Sequence, residues 1–301
     1  MTLTMAATEQ TRALLPDEEG FVERDGVRVC WERYGDDEPT LLLLPAWSII
    51  HSRLWKAQIP YLARHYRVVA FDGRGNGRSH RPGTAEAYDD AEFVADALAV
   101  LDATGTGRAV LAGLSRGGRW AVELAADRPE RVLGAVLIDP AIAFVAPPHP
   151  RRDYPFDEEL DTDEGWAKFN SHYWRRDYRD FLEFFAGQAF SEPHSTKQIE
   201  DMVGWGLETT PETLILTQLG PQPASLEEMA AILRRVRCPV LVVHGDDDRV
   251  RPHAAGEAVA ELTGGALVTI GGGGHCPQAR HPVKVNLLIR EFAESLRGRA
   301  R

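Results

Sequence analysis

Apolar residues along the chain gather in short, compact runs: "TLLLLP" at 40–45, "YRVVAFD" at 66–72, "AVLAGLS" at 109–115, "RVLGAVLID" at 131–139, "CPVLVVHGD" at 238–246 and "GALVTIGG" at 265–272. Each is too short for a helix and stops at Gly, Pro, Asp or Ser, so each reads as a strand. Their unbroken apolar character predicts burial on both faces, which is the pattern of a parallel sheet. Ahead of them, "GFVERDGVRVCWERYG" at 20–35 alternates around Asp25-Gly26 and predicts an antiparallel hairpin.

Helical spacing fills most of the gaps, at "SRLWKAQIPYLARH" (52–65), "DDAEFVADALAVLDAT" (89–104), "GGRWAVELAADRPE" (117–130), "PHAAGEAVAELT" (252–263) and "HPVKVNLLIREFAESLRGR" (281–299). Strand and helix in alternation predict right-handed crossovers and an open, mostly parallel α/β sheet with helices on both faces. The alternation breaks between about 141 and 236, where aromatic-rich amphipathic sequence runs without a buried strand. The expected organisation is a core in two parts, 1–141 and 237–301, with an all-helical cap, 142–236, inserted between them. The Trp and Phe stripe of that cap serves to pack it onto the core, with some aromatics left to line a ligand cavity.

Composition narrows the function classes. At 301 residues and 44% apolar, the chain can bury a sizeable core. A formal charge of −11, with acids and arginines interspersed, argues against a nucleic-acid or membrane partner and leaves a small molecule as the expected ligand. The first nineteen residues lack the basic start and apolar run of a signal peptide, so a cytoplasmic location is expected. Cys30, Cys238 and Cys276 are odd in number and far apart, which suggests neither a disulfide framework nor a zinc site. Nothing in the sequence sets an oligomeric state.

The chemistry begins at "GLSRG", residues 113–117. G-x-S-x-G is weak by itself, but here it follows an apolar strand at once and opens a helical pattern, so Ser115 sits where a strand turns sharply into a helix. Gly113 and Gly117 leave room for that close approach. A serine hydroxyl is a poor nucleophile at neutral pH and needs a base, itself held by an anion. His275, in the "GGGGHC" loop after the last strand, can reach the sheet's carboxyl edge, where ligands bind in such sheets. The anion comes from Asp246, Asp247 or Asp248 at the end of the preceding strand, with Asp139, at the end of another, as a geometric competitor.

The chain order Ser, Asp, His is that of the α/β hydrolases, and the sequence resembles that superfamily along nearly its full length. The resemblance rests on "GLSRG", on "FDGRGNGRS" at 71–79, which looks like D-x-R-G-x-G-x-S, and on "HGDDDRVRP" at 244–252, which fits H-G-x-x-D-x-x-x-P. It implies an eight-stranded sheet and selects Asp248 as the acid. Asp72, Arg74, Gly75 and Gly77 become structural loop residues, and His244 a structural histidine. A closer likeness is to hydrolase-like domains fused to actinobacterial nucleotide cyclases, through "WSIIHSRLWKAQIPYLARHYRVVAFDGRGNGRS" and "EPHSTKQIED". These 301 residues include no such cyclase segment, so a free-standing enzyme is the expectation.

Acyl transfer also needs oxyanion donors. The resemblance assigns them to the backbone N–H groups of Arg116 and of Trp47, the latter in "LLLLPAWSII", where relatives carry His-Gly ahead of the donor. Pro45 lacks an N–H but does not stand at the donating position. The side chains of Trp47, His51 and Arg116 are candidates for the substrate pocket. The expected protein is a serine hydrolase of a carboxylic ester or related acyl bond, needing no metal or organic cofactor. Rival expectations keep the triad for acyl transfer, carbon-carbon cleavage, cyclisation or elimination, or reduce the cavity to a ligand sensor.

Overall fold

The computed structural model describes residues 14–142, 149–221 and 225–297; the first thirteen, part of the stretch expected to carry no targeting signal, lie outside that range. Asp25 and Gly26 both adopt positive φ, 49° and 77°, and so turn the chain sharply between β1 (Glu18–Arg24) and β2 (Val27–Tyr34). The compact apolar runs follow as β3 (Thr40–Leu43), β4 (Val68–Phe71), β5 (Ala109–Leu114), β6 (Val132–Ile138), β7 (Val240–Gly245) and β8 (Ala266–Ile270). They make one eight-stranded sheet ordered β1-β2-β4-β3-β5-β6-β7-β8. β2 pairs antiparallel with β1 and β4, and every other pairing is parallel.

Burial explains the sequence pattern. Every residue of β3 to β7 is buried, and neighbours alternate between two apolar clusters. Leu41, Leu43, Val110 and Ala112 belong to one cluster; Leu42, Leu44, Val69 and Leu111 belong to the other. The core helices are α1 (Ile59–Leu62), α2 (Asp90–Ala103) and α3 (Arg116–Asp127). The stretch 52–65, expected as one helix, is instead a 3-10 turn (Ser52–Trp55) followed by α1. Pro60, in the first turn of α1, has no N–H with which to continue a helix from the preceding turn.

Between β6 and β7 lie α4 (Ser171–Arg176), α5 (Tyr178–Ala189), α6 (Thr196–Gly206), α7 (Pro211–Leu219) and α8 (Leu226–Arg235), with no strand among the described residues. Trp174 stacks on Phe181 at 4.3 Å, and Trp47 of the core meets Trp174 and Phe185 at 5.8 and 5.4 Å. The aromatic stripe thus fuses α4 and α5 to one face of the core. α8 departs from the expected cap ending at 236. It packs on α3, and its buried Met229 and Leu233 join the apolar cluster that holds Trp120 and Leu124, because its strongly amphipathic face matches that layer. After β7 come α9 (His253–Thr263), α10 (Pro277–Arg280) and α11 (Pro282–Ser295). No helix of the described residues is long and apolar enough to cross a membrane.

A tight backbone contact surrounds the turn from β5 to α3. A Cβ on Gly113 would stand 2.3 Å from the Gly117 carbonyl, and one on Gly117 would stand 2.2 Å from the Pro45 oxygen. Both obstacles are backbone and cannot swing aside. Gly113→Ala should therefore lower the unfolding free energy by about 3 kcal/mol, read from urea midpoints. Gly107→Ala, where the added methyl meets open space, should stay within about 0.5 kcal/mol of the parent. Equal midpoints for the two variants would overturn this account.

Candidate active site

Ser115 sits on the turn between β5 and α3 at φ 56°, ψ −118°, a strained conformation for a residue with a side chain. Its N–H donates to Ile138 O (2.9 Å), and its carbonyl accepts from Gly118 and Ala141 (3.0 and 2.9 Å). The side chain is left half-buried at the carboxyl edge. Arg116 begins α3, so its N–H has no acceptor inside the helix. The Trp47 N–H, in the loop after β3, makes no hydrogen bond within the described residues. The same loop is pressed onto α3 through Pro45 and Gly117.

The loop after β7 presents Asp248, and all of its acceptor capacity is directed. Oδ1 accepts from the backbone of Val250 and Arg251, both at 2.8 Å, and Oδ2 lies 2.7 Å from His275 Nδ1. A carboxylate there requires the proton on Nδ1 and leaves Nε2 as the basic nitrogen. His275 is 4% exposed, and its backbone N–H donates to Ala189 O at the end of α5, so the inserted helices help seat it. No hydrogen bond joins the Ser115 hydroxyl to His275 among the described residues; such catalytic bonds often tighten only once substrate is bound.

Beneath this pair lies a buried network that the sequence did not reveal. His244, wholly buried on β7, brings Nε2 to 3.2 Å from Arg251 O, 3.3 Å from Asp248 Oδ2 and 3.5 Å from Asp139 Oδ1. Three acceptors around one nitrogen require it to carry a proton. Burial would push this imidazole down, but the charge of Asp139, with the hydrogen bond and charge of Asp248, outweighs it and raises His244 to about 8. Burial would raise Asp248, yet the charge of His275 and the hydrogen bond from His244 hold it well below the usual carboxylate range. Asp139, with φ 41° and one oxygen accepting from Gly245 N–H, is pushed up by burial. Asp139, His244 and Asp248 each bring a potential metal-ligand atom within 4.8 Å of the others. Asp139 Oδ1, His244 Nε2 and Asp248 Oδ2 are engaged with Gly245, Arg251 and His275, whereas Asp139 Oδ2 and His244 Nδ1 are buried without a hydrogen bond among the described residues.

The remaining sequence candidates separate. Trp47 is buried, its indole donating to Thr217 Oγ1 of α7 (2.7 Å). The Arg116 guanidinium, 6% exposed, donates to Thr217 O (2.7 Å) and Gln218 Oε1 (2.8 Å) and lies 5.7 Å from the Trp47 ring. Both side chains therefore fasten α7 to the core. His51 is held elsewhere, with Nδ1 3.9 Å from Asp72, Nε2 3.3 Å from Glu208 and its ring edge-on to Trp205. Asp72 itself braces its loop by accepting from Ser52 and Arg78 N–H, and Arg74 is locked by two 2.8 Å contacts to Asp96. A cavity of about 90 Å³ is lined by Ile50, Leu54, Phe190, Met202, Trp205 and by Cys276, the residue after His275, among others; Ser115 and His275 themselves do not line it. None of Trp47, His51 or Arg116 lines it.

The family model described as alpha/beta hydrolase fold matches residues 39–282. The chain belongs to the α/β hydrolase fold family. It is 30% identical over 265 residues to a pimeloyl-[acyl-carrier protein] methyl ester esterase of Xanthomonas oryzae pv. oryzae (strain MAFF 311018), covering 86% of this chain and 96% of that one. It is 28% identical over 241 residues to a 2-hydroxymuconate semialdehyde hydrolase of Pseudomonas sp. (strain CF600), covering 79% and 80%. Among solved structures it resembles Est816, described as an N-acyl homoserine lactone degrading enzyme, with 26% identity, a TM-score of 0.75 and coverage of 91% and 100%.

In this α/β hydrolase, His244 binds its proton more tightly folded than unfolded. Its stabilisation is complete below about pH 6.5 and is lost as pH rises through about 8. Urea unfolding free energy should thus fall by about 2 kcal/mol from this source between about pH 6 and about pH 9. The decline should be shallower in His244→Gln. An identical slope in the variant would remove His244 as its cause.

Proposed function

We propose that this α/β hydrolase is a serine esterase cleaving a carboxylic ester, lactones included, of a small molecule. The observation that carries the reading is the 2.7 Å His275–Asp248 pair, with both Asp248 oxygens committed, facing the carboxyl edge onto which the Ser115 turn opens. Ser115 attacks the carbonyl while His275 Nε2 takes its proton, and Asp248 steadies the imidazolium that forms. The N–H groups of Trp47 and Arg116 stabilise the tetrahedral oxyanion. His275 then returns the proton to the departing alcohol, and water hydrolyses the acyl-enzyme by the same route in reverse.

The activities of the relatives support ester chemistry, since one is a methyl ester esterase and another degrades an N-acyl homoserine lactone. The mostly apolar cavity that reaches Cys276, the residue after His275, offers a place for one end of such a substrate. The inserted helices reach the proposed base through Ala189 O, which accepts from the His275 backbone N–H. This chemistry calls for no metal or organic cofactor.

On a panel of para-nitrophenyl acyl esters, Ser115→Ala should lose turnover by ~10⁴-fold or more while keeping the parent's circular dichroism. A fluorophosphonate probe should label the parent at Ser115 and leave the variant unlabelled. A folded parent that takes no label and releases no product would sink the reading. Saturable ligand binding that persists in Ser115→Ala without product would replace it with a sensor, and ester products formed with added alcohols would replace hydrolysis with acyl transfer.

A further inference from the structure

Three guanidinium groups near the Ser115–His275 edge have no carboxylate partner of their own among the described residues. Arg116 follows Ser115 directly, is nearly buried, and gives two of its donors to Thr217 O and Gln218 Oε1, both neutral acceptors. Arg251 lies three residues beyond Asp248. Its backbone is clamped on both sides, N–H to Asp248 and carbonyl to His244, while its side-chain Nε is buried with no acceptor among the described residues. Arg151, in the 3-10 turn Pro150–Asp153, holds its guanidinium 5.2 Å from the Phe169 ring, which in turn meets Trp47 at 5.8 Å. Among the described residues neither Arg151 nor Arg251 has a side-chain hydrogen bond or ion pair.

We propose that Arg116, Arg151 and Arg251 form an anion-binding wall beside Ser115, and that the ester this enzyme cleaves carries a second, negatively charged oxygen group, a carboxylate or a phosphate. The inference rests on the esterase reading for its reaction but not for its binding site.

The three groups feel one another. Burial and the nearby charges of Arg119 and Arg251 push Arg116 down to about 9. Burial and Arg116 do the same to Arg151, to about 10, and burial with Arg151 and Arg119 holds Arg251 well below its usual range. The acids that reach this group are already engaged, Asp90 with Arg119 at 2.6 Å and Asp248 with His275. Like charges gathered where water is scarce repel one another and leave donors unsatisfied, and a bound oxyanion removes both costs at once. The planar fork of each guanidinium suits such a group. A group held there would lie on the side of Ser115 formed by Arg116 and the Asp248 loop, whereas the apolar cavity opens past Cys276, so one substrate can use both.

The test compares two esters of matched length, para-nitrophenyl hydrogen glutarate and para-nitrophenyl pentanoate. The parent should prefer the anionic ester in kcat/KM. The ratio of the two should fall about 10- to 100-fold in Arg251→Met and Arg151→Met and recover in part in the Lys variants. A parent with no preference, or ratios unchanged in the variants, would overturn the proposal. If neither ester is turned over, the esterase reading fails on its own, and thermal shift of folded Ser115→Ala decides the binding site. Glutarate or inorganic phosphate should raise its Tm, more for whichever oxyanion the wall fits, and the rise should be lost when Arg251→Met is added. No rise with either anion would overturn the site.

Discussion

The site depends on one close approach of backbone to backbone. Where β5 turns into α3, the chain comes so near itself and the loop after β3 that Gly113 and Gly117 have no room for a Cβ atom. That crowding holds Ser115 at positive φ, lifts its side chain out of the sheet, and leaves the first N–H of α3 without a helical acceptor. It also sets the Trp47 loop against the same helix through Pro45. Nucleophile and both oxyanion donors of the proposed mechanism are therefore consequences of a single steric condition, imposed before any substrate is present.

A second constraint works on the other side of the edge. Asp248 is fixed by two backbone N–H groups and two histidines, and such a carboxylate stays charged in a buried place because each oxygen is occupied. His244 links it to Asp139, so two acids that would repel each other share a protonated imidazole. The arrangement ties the ends of β6 and β7 together and gives the proposed base a fixed partner. Asp139 and Asp248, rivals for one role when read from sequence, turn out to be members of one network.

What could be read in the sequence was local. The elbow, the strand ends and the loop glycines follow from spacing along the chain, and the fold follows from apolar runs whose alternate residues feed two faces of one sheet. What could not be read depends on which side chains converge from distant segments. His51 stands near Trp47 in sequence, yet the turn at Ser52–Trp55 carries it toward Asp72 and Glu208. The face of α8 matches the core helices as well as a cap, and amphipathicity cannot tell them apart. Arg151 and Arg251 gave no signal, because an arginine beside a turn is ordinarily solvated.

The local charge of the site runs against that of the whole molecule. With a formal charge of −11, the protein repels anions at distances where its surface charges act together. Beyond about 10 Å at ordinary salt, however, that repulsion is screened, whereas charges within a buried pocket are screened far less. In the proposed anion site, discrimination is therefore a matter for Arg116, Arg151 and Arg251 and not for net charge. An acidic exterior with a cationic interior admits a small anion that can shed its water against paired guanidinium forks. It disfavours an extended polyanion, which must stay near the negative surface while offering only a small part of itself to the site.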